Sequence, residues 1–413
     1  QPGSDFPIQN LPFGVFRRRA DGASACVGVA IGRRIVDVSA ALHLGLFEGL
    51  ARAAAAMCGE PTLNALMALG PTHWSALRAS LSALLREGGR GKRHADVILV
   101  RMDEADMLVP AEIGDYTDFY ASVHHATNVG SMFRPDSPLL PNYKWVPIGY
   151  HGRSSSIVAS GTSIRRPTGQ ILSPDSAVPR VGPSRSLDYE MEVGMFVGSG
   201  NRMGAPIPLG EAELHMIGFC LVNDWSARDV QSWEYQPLGP FLAKSFATTV
   251  SPWIVTLQAL EPFRCPPFLR EAPDPGPLDY LSSENQRNID ITLEMYLRTP
   301  DMKTPALLSR GSARDAYWTP AQMFAHHTSN GCNLRPGDVL ASGTLSGATA
   351  DSLGSLMEIT QAGKVPLTLA NGETRTFLQD GDEVIQVGRC ISAEAVSIGF
   401  GEAAGKIRPA LSL

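Results

Sequence analysis

The first feature of this sequence that could do chemistry is an acidic pair set in an apolar run. In Leu187-Asp188-Tyr189-Glu190-Met191-Glu192-Val193-Gly194-Met195-Phe196-Val197 the pattern predicts a β-strand over residues 187–197, and Glu190 and Glu192 stand two apart within it. Side chains at i and i+2 of a strand share a face. Two carboxylates side by side repel by roughly 1 kcal/mol in water and several in a partly buried site, and a bound cation is the usual way to offset that. A strand with a solvated acidic face is the plain alternative, and two more acids weigh against it. Asp224 closes the strongly apolar run 216–222, at a strand end where loops build sites. Asp118 is flanked by aromatic residues in Asp115-Tyr116-Thr117-Asp118-Phe119-Tyr120. Carboxylates without soft ligands nearby suit a hard ion, Mg²⁺ or Ca²⁺ with Mn²⁺ also compatible, rather than zinc or copper.

The doublet His124-His125 follows this last segment directly. A histidine close to metal carboxylates can take a proton from water near neutral pH, although most histidines are structural. The second doublet, His326-His327, falls on a predicted helix and is read as structural. Four carboxylates on one dication would leave about two surplus negative charges, so an anionic substrate requires basic residues at hand. Arg134, Arg228 in Trp225-Ser226-Ala227-Arg228-Asp229, and Lys244 in Gly239-Pro240-Phe241-Leu242-Ala243-Lys244-Ser245-Phe246 are the candidates. The apolar surroundings of Lys244 point to a partly buried ammonium that must find a partner.

The elements that must position these residues fall into two groups. Residues 26–31 and 34–38 read as a hairpin about Gly32-Arg33, residues 63–69 and 74–85 carry helical spacing, and 92–113 read as extended. Beyond residue 113 short β-rich runs predominate, at 157–159, 187–197, 216–223, 253–257, 289–297, 339–342, 383–387 and 391–399. Helices are predicted from 212–214 onward and over 319–327. The six prolines of 261–280 mark a surface loop. Two domains are expected for 413 residues, 1–112 and 113–413. A net charge of −6 with no long Lys/Arg run gives no footprint for nucleic acid or an anionic membrane, and no apolar run is long enough to span a bilayer. The six cysteines are scattered without a CxxC pair, which argues against a zinc knuckle or disulfide framework and for a reducing compartment. The opening Gln1-Pro2-Gly3-Ser4 has the profile of neither a signal nor a transit peptide.

Taken in order, these stretches resemble the fumarylacetoacetase (fumarylacetoacetate hydrolase) family. The resemblance is carried by residues 115–120, His125-Ala126-Thr127-Asn128-Val129-Gly130, Gly149-Tyr150-His151-Gly152-Arg153, residues 187–192, 223–229, Trp233-Glu234-Tyr235, residues 237–244, Ser329-Asn330-Gly331-Cys332-Asn333-Leu334 and Ser342-Gly343-Thr344-Leu345-Ser346-Gly347, with Gln9-Asn10-Leu11-Pro12-Phe13-Gly14-Val15-Phe16 matching the family's opening. No one motif is decisive; their collinearity over most of residues 115–358 is. The resemblance implies a mainly β fold with some α, in which a small N-terminal β-barrel-like domain joins a C-terminal mixed β-sandwich roll, and a homodimer in the cytosol. It implies hydrolysis of the C–C bond of an anionic β-diketone, 4-fumarylacetoacetate, to fumarate and acetoacetate in tyrosine and phenylalanine catabolism. Metal ligands carried over by match are Asp118, Glu190, Glu192 and Asp224, with a second, magnesium-type position at Asp224, Lys244 and Thr248. A water-activating base matches His125, oriented by Glu358; oxyanion donors match Arg228, Gln231 and Lys244; substrate contacts match Tyr120, Arg134, Tyr150, Tyr235 and Thr344. Three positions depart from the pattern: His124 makes a doublet, Ala247 stands where Gly is expected in a Lys-Ser-Phe-Gly-Thr run, and Leu353 replaces a common aromatic. The Ala247 change bears on the second metal position.

Two other readings compete. Acylpyruvate hydrolases and 2-oxo-acid hydratases or decarboxylases share the acidic site in a shorter chain, which residues 1–110 and His125-Ala126-Thr127-Asn128 argue against. A non-catalytic calcium-binding protein would not need Lys244, Arg228 and His125 beside its acids.

Overall fold

The computed structural model describes residues 3–19 and 24–412; the opening Gln1-Pro2 and the final residue of the expected second domain lie outside the described residues. The run Met216–Asp224 is a strand buried at every residue, as expected for a central strand covered on both faces. Its period of two separates the side chains: Phe219 and Leu221 enter one core, Cys220 and Val222 another. On one edge it pairs with Met191–Val197, and on the other with Trp253–Thr256 and then Thr248–Val250. From Met191–Val197 the ladder continues through Val339–Ala341 and Tyr116–Phe119 to Gly149–Gly152, while Thr248–Val250 continues to the parallel strand Ile157–Ala159. These strands roll up. Among the described residues no ladder joins Gly149–Gly152 to Ile157–Ala159, so the roll stays open along one seam.

A five-stranded sheet of Ala306–Ser312, Thr292–Arg298, Glu383–Cys390, Ile398–Arg408 and Ile164–Arg165 packs on the outer face of the roll. Gln386 Nε2 reaches across to donate to the Glu192 carbonyl at 2.7 Å, and the approach is close enough that a Cβ on Gly388 would lie 2.5 Å from Leu221.

The N-terminal strands Phe13–Arg18, Cys26–Ile31, Arg34–Asp37 and Leu99–Arg101 extend the same large sheet beyond Trp253–Thr256, with Phe13 opposite Ile254. The barrel-like arrangement expected of the N-terminal strands does not close into a barrel. Phe13–Arg18 gives one edge to Cys26–Ile31 and divides the other between Trp253–Thr256 and Ala105–Leu108, and among the described residues no ladder joins Ala105–Leu108 to Leu99–Arg101 to complete the circuit. Helices Gly49–Met57 and Pro71–Leu85 pack over these strands, and Trp74, Leu77 and Leu81 share a core with Phe196, Ile217 and Ile254. The architecture is mainly β with some α, as expected.

Local differences from the sequence reading have local causes. The predicted strand 187–197 is two strands, Leu187–Asp188 and Met191–Val197, because the chain changes partners between them. Leu187–Asp188 pairs with Ser226–Ala227, while the Glu190 N–H donates to the Asn223 side chain and the Met191 N–H to the Gly354 carbonyl. Residues 92–113 contain a short helix, Ala95–Ile98, before the strands Leu99–Arg101 and Ala105–Leu108. The expected strand 391–399 is mostly loop: Ile391 and Val396 are 62% and 52% exposed, so that apolar run faces no core, and the strands are Glu383–Cys390 and Ile398–Arg408. The expected helix beginning at 212–214 is a 3-10 segment, Leu209–His215. Helix Pro320–Thr328 forms as read, closed at its start by reciprocal bonds between Thr319 and Gln322.

Candidate active site

Period-two geometry explains why the acids meet. Asp118 shares a strand face with Tyr116, and Asp224 shares one with Cys220 and Val222; Tyr116, Cys220 and Val222 all belong to the core inside the roll. Glu192 alternates with Val193 and so faces the same way. Asp118, Glu190, Glu192 and Asp224 are all buried and offer carboxylate oxygens that lie within 4.8 Å of one another. The curl of the sheet brings in a residue from farther off. Gly149–Gly152 is four strands from Met216–Asp224 along the ladder, about 19 Å on a flat sheet, yet the Tyr150 hydroxyl donates to Asp224 Oδ2 at 3.2 Å.

Two buried cations answer part of the charge. Lys244 Nζ bonds Glu190 Oε2 and lies 2.7 Å from Asp224 Oδ2; Arg228 Nη1 lies 2.7 Å from Glu190 Oε1. Thr248 Oγ1 donates to Asp224 Oδ1 at 2.7 Å, and Ser226 Oγ to Glu190 Oε1 at 3.1 Å. Against four carboxylates, the two cations leave a formal charge of at least −2. The electrostatics divide accordingly. Burial and then the Asp118 and Asp224 charges push Glu192 well above the usual carboxylate range, and burial with Asp224 does the same to Asp118. Burial would also raise Glu190, but Lys244 and Arg228 outweigh it and hold Glu190 below the ordinary value. Asp118 Oδ1 and both oxygens of Glu192 are buried with no hydrogen-bond partner among the described residues. Native proteins rarely leave such acceptors unsatisfied. Three orphaned carboxylate oxygens and an uncompensated double negative charge fit a hard dication held by oxygen ligands, and the donor set contains no thiolate or imidazole that would favour zinc.

These raised carboxyl groups must lose their protons to ligate. Affinity for Mg²⁺ or Ca²⁺ is therefore expected to go on rising with pH above the ordinary carboxylate range, with proton release. Calorimetric titration in buffers of different ionisation enthalpy measures both. A pH-independent affinity without proton release would remove Asp118 and Glu192 from the ligand set.

Beside the cluster stands an imidazole–carboxylate pair. Ser122 caps the helix Val123–Phe133 by accepting from the His125 N–H, and the i, i+3 spacing puts His125 and Asn128 on one helix face. Both reach Glu358: His125 Nδ1 lies 2.7 Å from Oε2, and Asn128 Nδ2 donates to Oε1 at 2.9 Å. Ser346 and Ser355 also donate to this carboxylate. Burial would raise Glu358, but the imidazole and these donors hold it down at about 2. The Tyr120 ring meets His125 edge-on at 5.4 Å, and the His125 charge bears on Glu190, so the pair and the acids form one site.

The remaining candidates are placed as follows. Gln231 meets the cluster through Arg228, whose Nη1 donates to Gln231 Oε1 at 3.1 Å. Thr344 is buried with its hydroxyl unpartnered among the described residues. It follows Gly343, whose φ of +73° and 2.0 Å clearance from the Phe119 carbonyl admit no side chain. Arg134 follows the end of helix Val123–Phe133; its Nη2 donates to the Pro138 carbonyl and its Nε is buried without a partner. Tyr235 ends helix Arg228–Glu234, half-buried, and among the described residues its side chain makes no hydrogen bond to the acids. His124 packs on Phe268, His326 bonds Tyr280 and His327 bonds Thr117, so none of these joins the site. Sequence reasoning missed Asn128, Ser226, Ser346 and Ser355, and also Glu234. The Glu234 carboxylate accepts from the backbone N–H groups of Phe241, Leu242 and Ala243 and so holds the turn that presents Lys244. Asn128, Ser226, Glu234 and Ser346 lie within the motifs that carry the resemblance, but only the i, i+3 relation of Asn128 to His125 tied one of them to a site residue.

A buried acidic cluster that could hold a metal ion, with a held imidazole beside it, lodged in an open mixed β-roll, defines the class of site. Comparison with known proteins narrows the class. Residues 9–110 match the family description "Fumarylacetoacetase N-terminal" and residues 115–408 match "Fumarylacetoacetate (FAA) hydrolase C-terminal". The chain is 47% identical to the fumarylacetoacetase of Oryza sativa subsp. japonica, with 99% of this chain and 96% of that protein covered. It is 48% identical to that of Homo sapiens, covering 99% and 97%. A solved fumarylacetoacetate hydrolase of Exiguobacterium antarcticum shares the fold, with a TM-score of 0.55 at 17% identity over 97% of this chain and 99% of that one. The chain belongs to the fumarylacetoacetase family.

Proposed function

We infer that this chain is a fumarylacetoacetase: it hydrolyses a C–C bond of 4-fumarylacetoacetate to give fumarate and acetoacetate, the closing step of tyrosine and phenylalanine breakdown. The observation that carries the chemistry is the His125–Glu358 pair beside four buried carboxylates with orphaned oxygens. The full-length likeness to fumarylacetoacetases supports the substrate.

Water must add to one carbonyl of the diketone, and the bond to the central carbon must then break. Glu358 accepts from His125 Nδ1–H and so leaves Nε2 unprotonated to take a proton from water. The hydroxide adds to the fumaryl group's own carbonyl, the one bonded to the central carbon. The resulting oxyanion is held by Arg228, Gln231 and Lys244, and Arg228 Nη2 is a buried donor with no partner of its own. When bound at Asp118, Glu190, Glu192 and Asp224, a divalent cation supplies Lewis-acid polarisation of the diketone oxygens. The C–C bond cleaves, the electron pair leaves on the acetoacetate carbon, and the proton held on His125 returns to that carbon. One water is consumed and two carboxylic products form. Lys244 and Thr248 gather on Asp224 and mark the candidate second, magnesium-type position, Lys244 as a neighbour because an ammonium cannot ligate.

Arg134 with Tyr120, Tyr150, Tyr235 and Thr344 would receive the rest of the substrate. Arg134→Leu is expected to raise KM roughly 10–100-fold with kcat little changed, the value of one charged hydrogen-bonded contact. Steady-state kinetics decide it; a pure kcat defect would argue against a carboxylate clamp. The chain is read as a homodimer of the cytosol; no described helix is long and apolar enough to cross a membrane, and all six cysteines are free. The function is tested by following the ultraviolet absorbance of fumarylacetoacetate and of acylpyruvates with purified protein, before and after EDTA. Loss of fumarylacetoacetate that stops on chelation and resumes with Mg²⁺ or Ca²⁺ is expected. Preference for acylpyruvates, or turnover indifferent to EDTA, would overturn it.

A further inference from the structure

Asp188 is fully buried, and four N–H groups converge on its carboxylate. Oδ1 accepts from Tyr189 N at 2.8 Å and Leu356 N at 2.8 Å; Oδ2 accepts from Arg228 Nε at 2.9 Å and Met357 N at 3.0 Å. An isolated buried carboxylate is strongly unfavourable, and here its lone pairs are taken up by protein, which leaves it no capacity for substrate or cation. Its partners are informative. Arg228 is held at Nε by Asp188 and at Nη1 by Glu190 and Gln231, which leaves Nη2 buried and free to donate. Leu356 and Met357 open the short helix Leu356–Ile359, whose next residue is Glu358, the partner of His125. Arg228 and Glu358 come from segments far apart in the chain, and Asp188 from a third bonds Arg228 and the two N–H groups just ahead of Glu358.

We propose that Asp188 is a positioning residue that sets the Arg228 donor and the Glu358–His125 pair in register with each other, so that hydroxide delivery and oxyanion stabilisation act on one carbonyl. The proposal rests on the roles given above to Arg228, Glu358 and His125. Misplacement of such groups by about 1 Å costs about 100-fold in rate.

Asp188→Asn preserves the volume but turns one acceptor into a donor. Either way round, the amide N–H faces two N–H groups: Arg228 and Met357, or Tyr189 and Leu356. The expected result is a fall in kcat of about 100-fold with KM changed less than about threefold and the bound cation per chain unchanged. Added to Arg228→Gln, the same change should cost clearly less than it does alone, because part of its effect already runs through Arg228. A merely structural Asp188 would lower the folded or cation-loaded fraction and leave the turnover of the remaining protein normal. Should D188N not fold, Asp188→Ser keeps one acceptor, admits a water and is read in the same way. Near-normal kcat in cation-loaded D188N or D188S, beside crippled R228Q and E358Q, sinks the proposal alone. Near-normal kcat in R228Q and E358Q sinks the functional reading, and the proposal with it.

Discussion

Alanine at His125 is expected to lower kcat by about 10²–10⁴-fold while leaving the bound cation in place, the range associated with losing one general base. The imidazole is buried against Glu358, and its Nδ1 contact leaves Nε2 as the only ring nitrogen able to take a proton. The nearest other histidines are engaged elsewhere, His124 on Phe268, His326 on Tyr280, His327 on Thr117 and His151 against His327. Folding should survive, because Glu358 keeps its bonds from Asn128, Ser346 and Ser355. A second signature comes with the first. Glu358 is held at about 2 in the native protein, so it contributes stability that is present above the ordinary carboxylate value and lost as the pH falls toward 2. Without the imidazole that acid-side contribution shrinks, and thermal melts should converge with the native protein's at low pH. Single-turnover rates and cation content together decide the role: a near-normal rate in the loaded variant removes His125 as the base.

Glutamine at Glu192 is expected to have two effects of opposite sign. Cation affinity falls at least about 100-fold, beyond the 10–100-fold usual for a change outside the ligand shell, and turnover falls with it. The cation-free protein, by contrast, becomes more stable near neutral pH. Burial and the neighbouring Asp118 and Asp224 raise the Glu192 carboxyl well above its unfolded value, so the native state binds that proton more tightly than the unfolded chain does. The stability this confers is complete below the unfolded value and is lost as pH rises through the raised native one. An amide removes the penalty at neutral pH and cannot replace the ionised ligand. Melting with EDTA and with excess Mg²⁺ or Ca²⁺ reads both effects: EDTA should destabilise the native protein and leave E192Q unmoved. Retained cation binding in E192Q, or no gain in its cation-free stability, would mean that Glu192 is buried for some other reason.

Much of this was available from the residues in order. The apolar run before Asp224 had to be a buried strand, because the seven consecutive apolar residues 216–222 satisfy both faces of a sheet. Thr319 and Gln322 marked a helix start through bonds that need no distant partner. The acids drew attention because charge in apolar surroundings must be answered locally, and the collinear motifs tied them to a known family. Partnership was left to the tertiary structure. Strand periodicity is local, whereas Asp118 and Asp224 meet through a curled ladder that joins segments more than a hundred residues apart. The same cause broke the predicted strand at Glu190, whose N–H found the Asn223 side chain rather than a ladder partner. It left the barrel-like N-terminal strands unclosed, since among the described residues no ladder joins Leu99–Arg101 to Ala105–Leu108. It also gave Asp188 its partners, Arg228 and the N–H groups ahead of Glu358, which no spacing in the chain could announce.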